Sequence, residues 1–404
     1  MSPCSIPATR VPGPVFGLLC LGSYLLSLSY GSTFLLALLI GSHGGNEQDA
    51  GQVIAVAMLS TFAAVIGSGH LSDWLGAARS VACFGSLLAV ACLGFALSPG
   101  VGPVLLGFGL LLGLGWGVFY TLGPIIVAML VEPAHRARYF ALLSGSMMTG
   151  IGSAPLLGRL ASALGYPLSS AFFIAAAASL LGVLIFWRLA GQLRNQANHL
   201  QATAARITWS GSARVLRSGA SLPILMVGLG GCVFGGLSSF QTSYGPSRGV
   251  DYSLFFIGFM SAAIASRMLL AGLVVKRDPY RAACLLSGLM VVAVLLLLFV
   301  VDSSTSYLLA AMVLGVGYGL TYSVINGQAA NEAPPGHTSQ ALLLFSLAYF
   351  IGVFGFPWLA GRLIVGSGIQ ALLSTVLAIA VLNWLISLGR LGWRQRQRLQ
   401  ARET

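Results

Sequence analysis

The chain has 404 residues, of which 57% are hydrophobic and only 7% charged, with a net charge of +12. Soluble domains carry roughly 25% charged residues, so a surface this poor in charge excludes an ordinary soluble enzyme and makes lipid the main solvent. The positive charge is no nucleic-acid signature either, because it sits in short segments between apolar runs, where basic residues meet anionic headgroups and fix topology.

Apolar runs of about twenty residues suffice to cross a bilayer. Twelve are predicted, numbered here as spans 1 to 12: 15–40, 50–71, 80–98, 103–130, 138–160, 168–189, 221–244, 252–275, 281–301, 305–330, 339–365 and 369–389. The first, from Val15 to Ile40, is too long for the apolar region of a signal peptide, and no A-x-A cleavage site follows it promptly. Between spans 6 and 7 lies the longest polar stretch, Gly191 to Gly219, which reads as a linker between two bundles. The expected domains are therefore a six-helix bundle at 1–190, a cytoplasmic linker at 191–220 and a second six-helix bundle at 221–404. With the N-terminus inside, seventeen of the Lys and Arg fall in cytoplasmic segments. Three fall near outer ends, Arg159, Arg248 and Arg362, and Arg267 falls inside span 8. The positive-inside bias thus predicts that both termini are cytoplasmic.

A shift of about 202 residues superposes parts of the two halves. Gly113-Leu-Gly115-Trp-Gly117-Val-Phe-Tyr120 lies over Gly315-Val-Gly317-Tyr-Gly319-Leu-Thr-Tyr322. Pro155-Leu-Leu-Gly158-Arg159 resembles Pro357-Trp-Leu-Ala-Gly361-Arg362, and Asp49 and Arg79 lie over Asp251 and Arg281. Span 1 matches span 7 at a larger shift, Tyr30-Gly-Ser-Thr-Phe34 against Phe240-Gln-Thr-Ser-Tyr244. The common order of these matches predicts a duplicated six-helix unit, a known plan of transporters.

The loop between spans 2 and 3 reads Gly69-His-Leu-Ser-Asp73-Trp-Leu-Gly76-Ala-Ala-Arg79. Here the chain resembles the major facilitator superfamily, whose members carry Gly-x-x-x-Asp, a basic residue, Gly and further basic residues at this place. Gly69, Asp73, Gly76 and Arg79 match; Trp74, Ala77 and Ala78 depart from the pattern. The resemblance implies a conformational latch: Gly69 admits a neighbouring helix and Asp73 can face a positive helix N-terminus. The equivalent loop of the second half, Gly272 to Asp278, lacks the matching Asp. Span 5 contains Gly150-Ile-Gly152-Ser-Ala154-Pro155-Leu-Leu-Gly158. It resembles the superfamily's antiporter motif at Gly150, Pro155 and Gly158, and equally a small-residue packing face with a proline kink. The Gly-rich run 107–117 has no phosphate-loop context, lacking the preceding strand and the following Lys.

No acid falls at mid-bilayer. Glu47, Asp49, Asp251 and Asp302 lie at the outer side, Asp73, Glu132, Asp278 and Glu332 at cytoplasmic turns, and Glu403 in the tail. A midplane proton carrier, which coupled transporters commonly hold in a carboxylate, is therefore not evident. Arg267 is the one intramembrane charge, at a cost of roughly 2.5–3.5 kcal/mol on insertion scales. It reads either as an anchor for an anionic substrate or as a structural arginine tied to backbone carbonyls. Polar and aromatic residues collect on spans 1, 4, 7 and 10, which line the central cavity in this superfamily: Tyr24, Tyr30, Thr33, Trp116, Tyr120, Phe240, Gln241, Tyr244, Tyr318, Tyr322 and Asn326. Trp116 and Tyr120 share a helix face by their i,i+4 spacing, and so do Tyr318 and Tyr322. Apolar walls with few polar groups suit a small organic ligand. The expected substrate-binding residues are Tyr30, Trp116, Tyr120, Gln241, Arg267, Tyr318, Tyr322 and Asn326.

The six cysteines form no close CxxC and the five histidines no ligand cluster, so neither metal nor cofactor is expected. There is no HExxH and no membrane Asp pair, so no intramembrane protease is expected. What the resemblance implies is an all-α integral membrane protein of two pseudo-symmetric six-helix bundles. It would be a monomer in a bacterial inner membrane, working by alternating access on a small molecule and coupled to protons. The leading expectation is export of a drug-like compound or metabolite. The alternatives are uptake or facilitated passage of a small anionic solute, resting on Arg267, and a non-transporting sensor built on the same scaffold.

Overall fold

The computed structural model describes residues 13–131, 136–194, 208–275 and 278–403, and all regular structure among them is helical. Span 1 runs Gly13–Ser32, tightens into a 3-10 turn at Thr33–Leu35 and continues as Leu36–Ser42. Spans 2 to 6 are Glu47–Leu75, Ala77–Leu97, Pro103–Leu130, Arg136–Ala163 and Ser169–Arg194. Span 7 is Ser221–Ser239 followed, after a break at Phe240, by Gln241–Ser247. Spans 8 to 10 are Ser253–Val275, Pro279–Phe299 and Ser304–Asn331. Span 11 is Thr338–Phe350, a π-helical turn at Ile351–Gly355, and Phe356–Ser367; span 12 is Ile369–Glu403. Eleven of these are long and apolar enough to cross a membrane, and span 8, apolar over Ser253–Arg267, makes the twelfth.

Local chemistry explains where the helices begin. Asn46 accepts from the backbone N–H groups of Gln48 and Asp49, while the Asp49 carboxylate accepts from the Asn46 N–H, a reciprocal cap for span 2. Ser303 and Ser306 do the same for span 10. Pro103 and Pro279 occupy first-turn positions, where no N–H is missed. Between spans 2 and 3 the chain turns on a single residue, Gly76, at φ 82° and ψ 148°, a conformation that a side chain would strain.

Packing repeats from one half to the other. In the first half spans 2 and 4, 3 and 4, 3 and 6, 1 and 5, and 1 and 6 are neighbours; in the second, 8 and 10, 9 and 10, 9 and 12, 7 and 11, and 7 and 12. The same atoms make the close approaches. A Cβ at Gly113 would sit 2.1 Å from the Ala57 carbonyl oxygen, and one at Gly315 would sit 2.3 Å from that of Phe259. Gly150 meets the Tyr24 oxygen at 2.2 Å, and Gly352 meets that of Gly228 at 2.2 Å; Gly31 meets Ile151 at 2.2 Å, and Gly235 meets Val353 at 2.4 Å. Spans 1 and 7 are thus related by a shift of about 204 residues. The larger shift suggested by matching Tyr30–Phe34 with Phe240–Tyr244 is corrected: that letter match lies off the packing register.

Three other expectations change. Span 12 is a 35-residue helix, about 52 Å long, rather than ending near 389. Arg390, expected in the tail, is buried in the bundle, donating to Glu332 at 2.6 Å and to Gln328 at 2.5 Å, while the Tyr280 hydroxyl donates to Glu332 at 2.8 Å. These bonds tie the ends of spans 9, 10 and 12, so the guanidinium exchanges water for a carboxylate and an amide. The segment expected as a plain polar linker lies partly outside the described residues, at 195–207, and then forms a helix, Trp209–Leu216. Gln340 of span 11 fastens that helix, its amide donating to the Thr208 carbonyl at 2.6 Å and the Ser212 hydroxyl at 3.1 Å.

The halves meet along spans 2 and 11 and along spans 5 and 8. The face opposite the linker is sealed. Gly51 abuts the Pro357 carbonyl, Gly361 abuts that of Glu47, Ser243 donates to Glu47 at 2.8 Å, and Arg159 forms an ion pair with Asp251.

Candidate functional site: an aromatic cluster on the pseudo-two-fold axis

Between the halves, near the middle of spans 4 and 10, the repeat brings its own copies into contact. The hydroxyls of Tyr120 and Tyr322, 202 positions apart, lie 2.8 Å from each other. Residues related by a two-fold can bond to each other only on the axis, so this pair marks it. One turn away, Tyr30 stacks on Trp116 with ring centroids 4.6 Å apart, and Phe234 stacks on Tyr318 at 4.9 Å. Tyr30 and Phe234 are equivalent in the corrected register, so the stack itself is duplicated.

Span 11 completes the cluster. Tyr349 stacks on Tyr120 at 6.0 Å and meets Tyr322 edge-on at 5.4 Å; Phe350 packs edge-on against Tyr120 at 5.0 Å and Phe354 against Tyr30 at 5.5 Å. These rings border or enter the π-helical turn Ile351–Gly355, a locally widened turn of a kind often found at functional sites. Tyr30, Trp116 and Tyr318 are almost fully buried, whereas Tyr120, Tyr322 and Tyr349 are half-buried. Among the described residues the buried Tyr318 hydroxyl makes no hydrogen bond of ordinary geometry.

Arg267 lies at the edge of this cluster. Its Nε donates to the Gly319 carbonyl at 3.0 Å and its Nη1 to the Ser144 hydroxyl at 2.5 Å, with the guanidinium 6.0 Å from the Tyr322 ring centre. The bond to a backbone carbonyl is what a structural arginine would make. The bond to Ser144 crosses from span 8 of one half to span 5 of the other. Among the described residues Arg267 pairs with no carboxylate.

The structure therefore brings together Tyr30, Trp116, Tyr120, Arg267, Tyr318 and Tyr322. Asn326 is half-buried one turn beyond Tyr322, toward the face that carries the linker. Gln241 does not join them. It lies past the break in span 7, on the sealed side, and accepts from the Tyr307 hydroxyl at 2.5 Å in full burial. Tyr244 likewise donates to the Leu297 carbonyl at 2.5 Å. The six-residue error in register carried the expectation from Phe234 to this neighbourhood. Tyr349, Phe350 and Phe354 escaped sequence reasoning because their counterparts at the repeat shift, Met147, Met148 and Gly152, are not aromatic.

Of the latch residues, Gly69 is buried in span 2, Asp73 stands exposed in its last turn, Gly76 makes the turn and Arg79 is half-buried. Arg79 lines a cavity of about 190 Å³ with Ile126, Met129, Ala190 and Leu193. Glu132 and residues 276–277 of the equivalent loop lie outside the described residues.

Comparison with known proteins agrees with this architecture. The chain is 27% identical over 359 residues to an uncharacterized MFS-type transporter of Burkholderia pseudomallei, covering 81% of this chain and 83% of that one. It is 26% identical over 161 residues to Myo-inositol transporter 2 of Schizosaccharomyces pombe, covering 33% and 29%. Among solved structures, the nucleoside transporter NupG superposes with a TM-score of 0.72 at 15% identity, covering 94% of this chain and 98% of that one. The human organic anion transporter MFSD10 superposes with a TM-score of 0.66 at 17% identity, covering 93% and 100%. Finally, the sequence profile of the Major Facilitator Superfamily matches residues 17–357. With the duplicated helix packing, that match makes the chain a member of the Major Facilitator Superfamily.

Proposed function

We propose that this protein carries a small organic solute across the inner membrane by alternating access, and that the aromatic cluster on the pseudo-two-fold axis is where the solute binds. The observation that carries this reading is the Tyr120–Tyr322 contact. A group on the axis is approached equally by both halves, and a site there can be exposed to either side as the halves rock. Flat rings with a few hydroxyls favour an apolar or aromatic body over a heavily hydroxylated one. Sealing at the face opposite the linker, with half-buried tyrosines toward the linker face, fits a state that opens toward the linker. The basic residues of that face support its assignment to the cytoplasm.

The proposed direction is export. It rests on the partial motif of span 5, although the close approach of Gly150 to span 1 is duplicated by Gly352 on span 7 and so also serves packing. Uptake of an anionic solute is the second reading, favoured by Arg267. Proton coupling has no carboxylate to use among the described residues within the spans, since each described acid lies at a span end or beyond. Metabolites inside and outside a deletion strain and an overproducing strain decide the direction. A compound retained inside the deletion strain and enriched outside the overproducer means export. One left unconsumed in the deletion strain's medium means uptake. The absence of any difference would count against transport itself.

A further inference from the structure

We propose that Arg267 is the seat for the acidic group of an organic anion with an aromatic or apolar body, and that the anion exchanges there with Ser144. The inference rests on the reading of the aromatic cluster as the substrate site. Three observations carry it.

The first is that no carboxylate among the described residues neutralises the charge. A guanidinium has five N–H donors. Two are committed, to the Gly319 carbonyl and the Ser144 hydroxyl, and both acceptors are neutral. In a low-dielectric bundle a cation without a counter-ion favours any anion small enough to reach it. The second is position. The guanidinium stands beside the ring of Tyr322, whose hydroxyl meets that of Tyr120. An acid held by Arg267 would lay its body on the stacked rings and accept from the tyrosine hydroxyls, a charge-assisted arrangement.

The third observation connects the seat to conformational change. The Ser144 bond joins span 5 to span 8, so one of the N–H groups that a bidentate anion would use is engaged in a tether between the halves. A carboxylate or sulfonate taking that N–H would release Ser144 and loosen the contact between spans 5 and 8 on the linker side of the Arg159–Asp251 pair. Binding would then favour a different conformation from the empty state, as a transport cycle requires of its substrate. One negative charge would cross per turnover, with the fixed arginine charge returning on the empty carrier. An inside-negative membrane potential would then favour export of the anion over its uptake with no proton carrier, in keeping with the lack of acids within the spans among the described residues.

Thermal stabilisation of the purified protein in lipid nanodiscs tests the proposal with benzoate, phenylacetate and benzenesulfonate, each beside its neutral amide. The acids should stabilise the wild type more than the amides do. Arg267→Gln should lose on the order of tenfold in affinity for the acids, with the amides unchanged. Ser144→Ala removes only the competitor, so acid affinity should hold or rise, and this variant guards against a fold defect in the first. Equal response to acid and amide, unaltered by Arg267→Gln, would overturn the anion seat and leave the aromatic site standing. No response to either class would overturn both. A Ser144→Ala variant that loses acid binding would overturn the exchange.

Discussion

The residues with the sharpest consequences are glycines whose close approaches recur in both halves and tyrosines whose hydroxyls touch across the repeat. Gly150→Ala and Gly352→Ala each force a Cβ to within 2.2 Å of a backbone oxygen, which cannot give way as a flexible side chain would. Each should destabilise the protein by about 1–3 kcal/mol, the usual range for overpacking. Gly327→Ala, with nothing within 4 Å, should leave the melting temperature unchanged or slightly raised. A thermal melt of the three variants in one detergent checks both statements. Tyr120→Phe and Tyr322→Phe should each remove the same shared bond, at about 0.5–1.5 kcal/mol. The double variant should cost little more than either single one, and additive losses would place the two hydroxyls apart. Trp116 and Tyr120 were legible in the sequence because helical spacing and the repeat both point to them. Tyr349 was not, because nothing local distinguishes an aromatic residue on the axis from one facing lipid.

Among elements, the seal on the face opposite the linker joins spans 5 and 8 through Arg159 and Asp251. Burial alone would push the Asp251 carboxyl up, but the bonds from Arg159 and from the Ser253 N–H outweigh it and hold the group below the usual carboxylate range. A carboxyl with a lowered native value contributes fully at neutral pH, and its contribution is lost as pH falls below about 4 through that value. The seal should therefore be insensitive to pH between neutrality and mild acid and weaken only in strong acid. Asp251→Asn should weaken it at every pH, read as faster labelling of a cysteine placed at Ser243 by an impermeant maleimide. Equal labelling rates with and without the carboxylate would remove the gating role. The linker helix makes a separate prediction. Gln340→Ala deletes its bonds to Thr208 and Ser212, so trypsin should cut at the exposed Arg214 and Arg217 faster than in the wild type. Composition marked this segment as polar and left it a loop. Its helix is held by a side chain more than a hundred residues away, and no window of sequence includes that contact.

For the whole molecule the test is alternation. Asp73→Asn should lower flux in reconstituted vesicles while the protein still reaches the membrane, as expected of a latch that acts on the rate of interconversion. Undiminished flux would withdraw that role. By itself the sequence determined the membrane class, the twelve spans, the duplication, the axis-facing pairs on spans 4 and 10, and the odd charge at Arg267. All of these are periodic or compositional signals that lipid imposes on every span. The tertiary structure alone decided the register of span 7 against span 1, the entry of span 11 into the cluster, the removal of Gln241 to the sealed side and the partner of Arg267. Each depends on which glycine lets which backbone approach. Where helices pack on small residues, a shift of a few positions costs the letter pattern little and relocates every side chain beyond it.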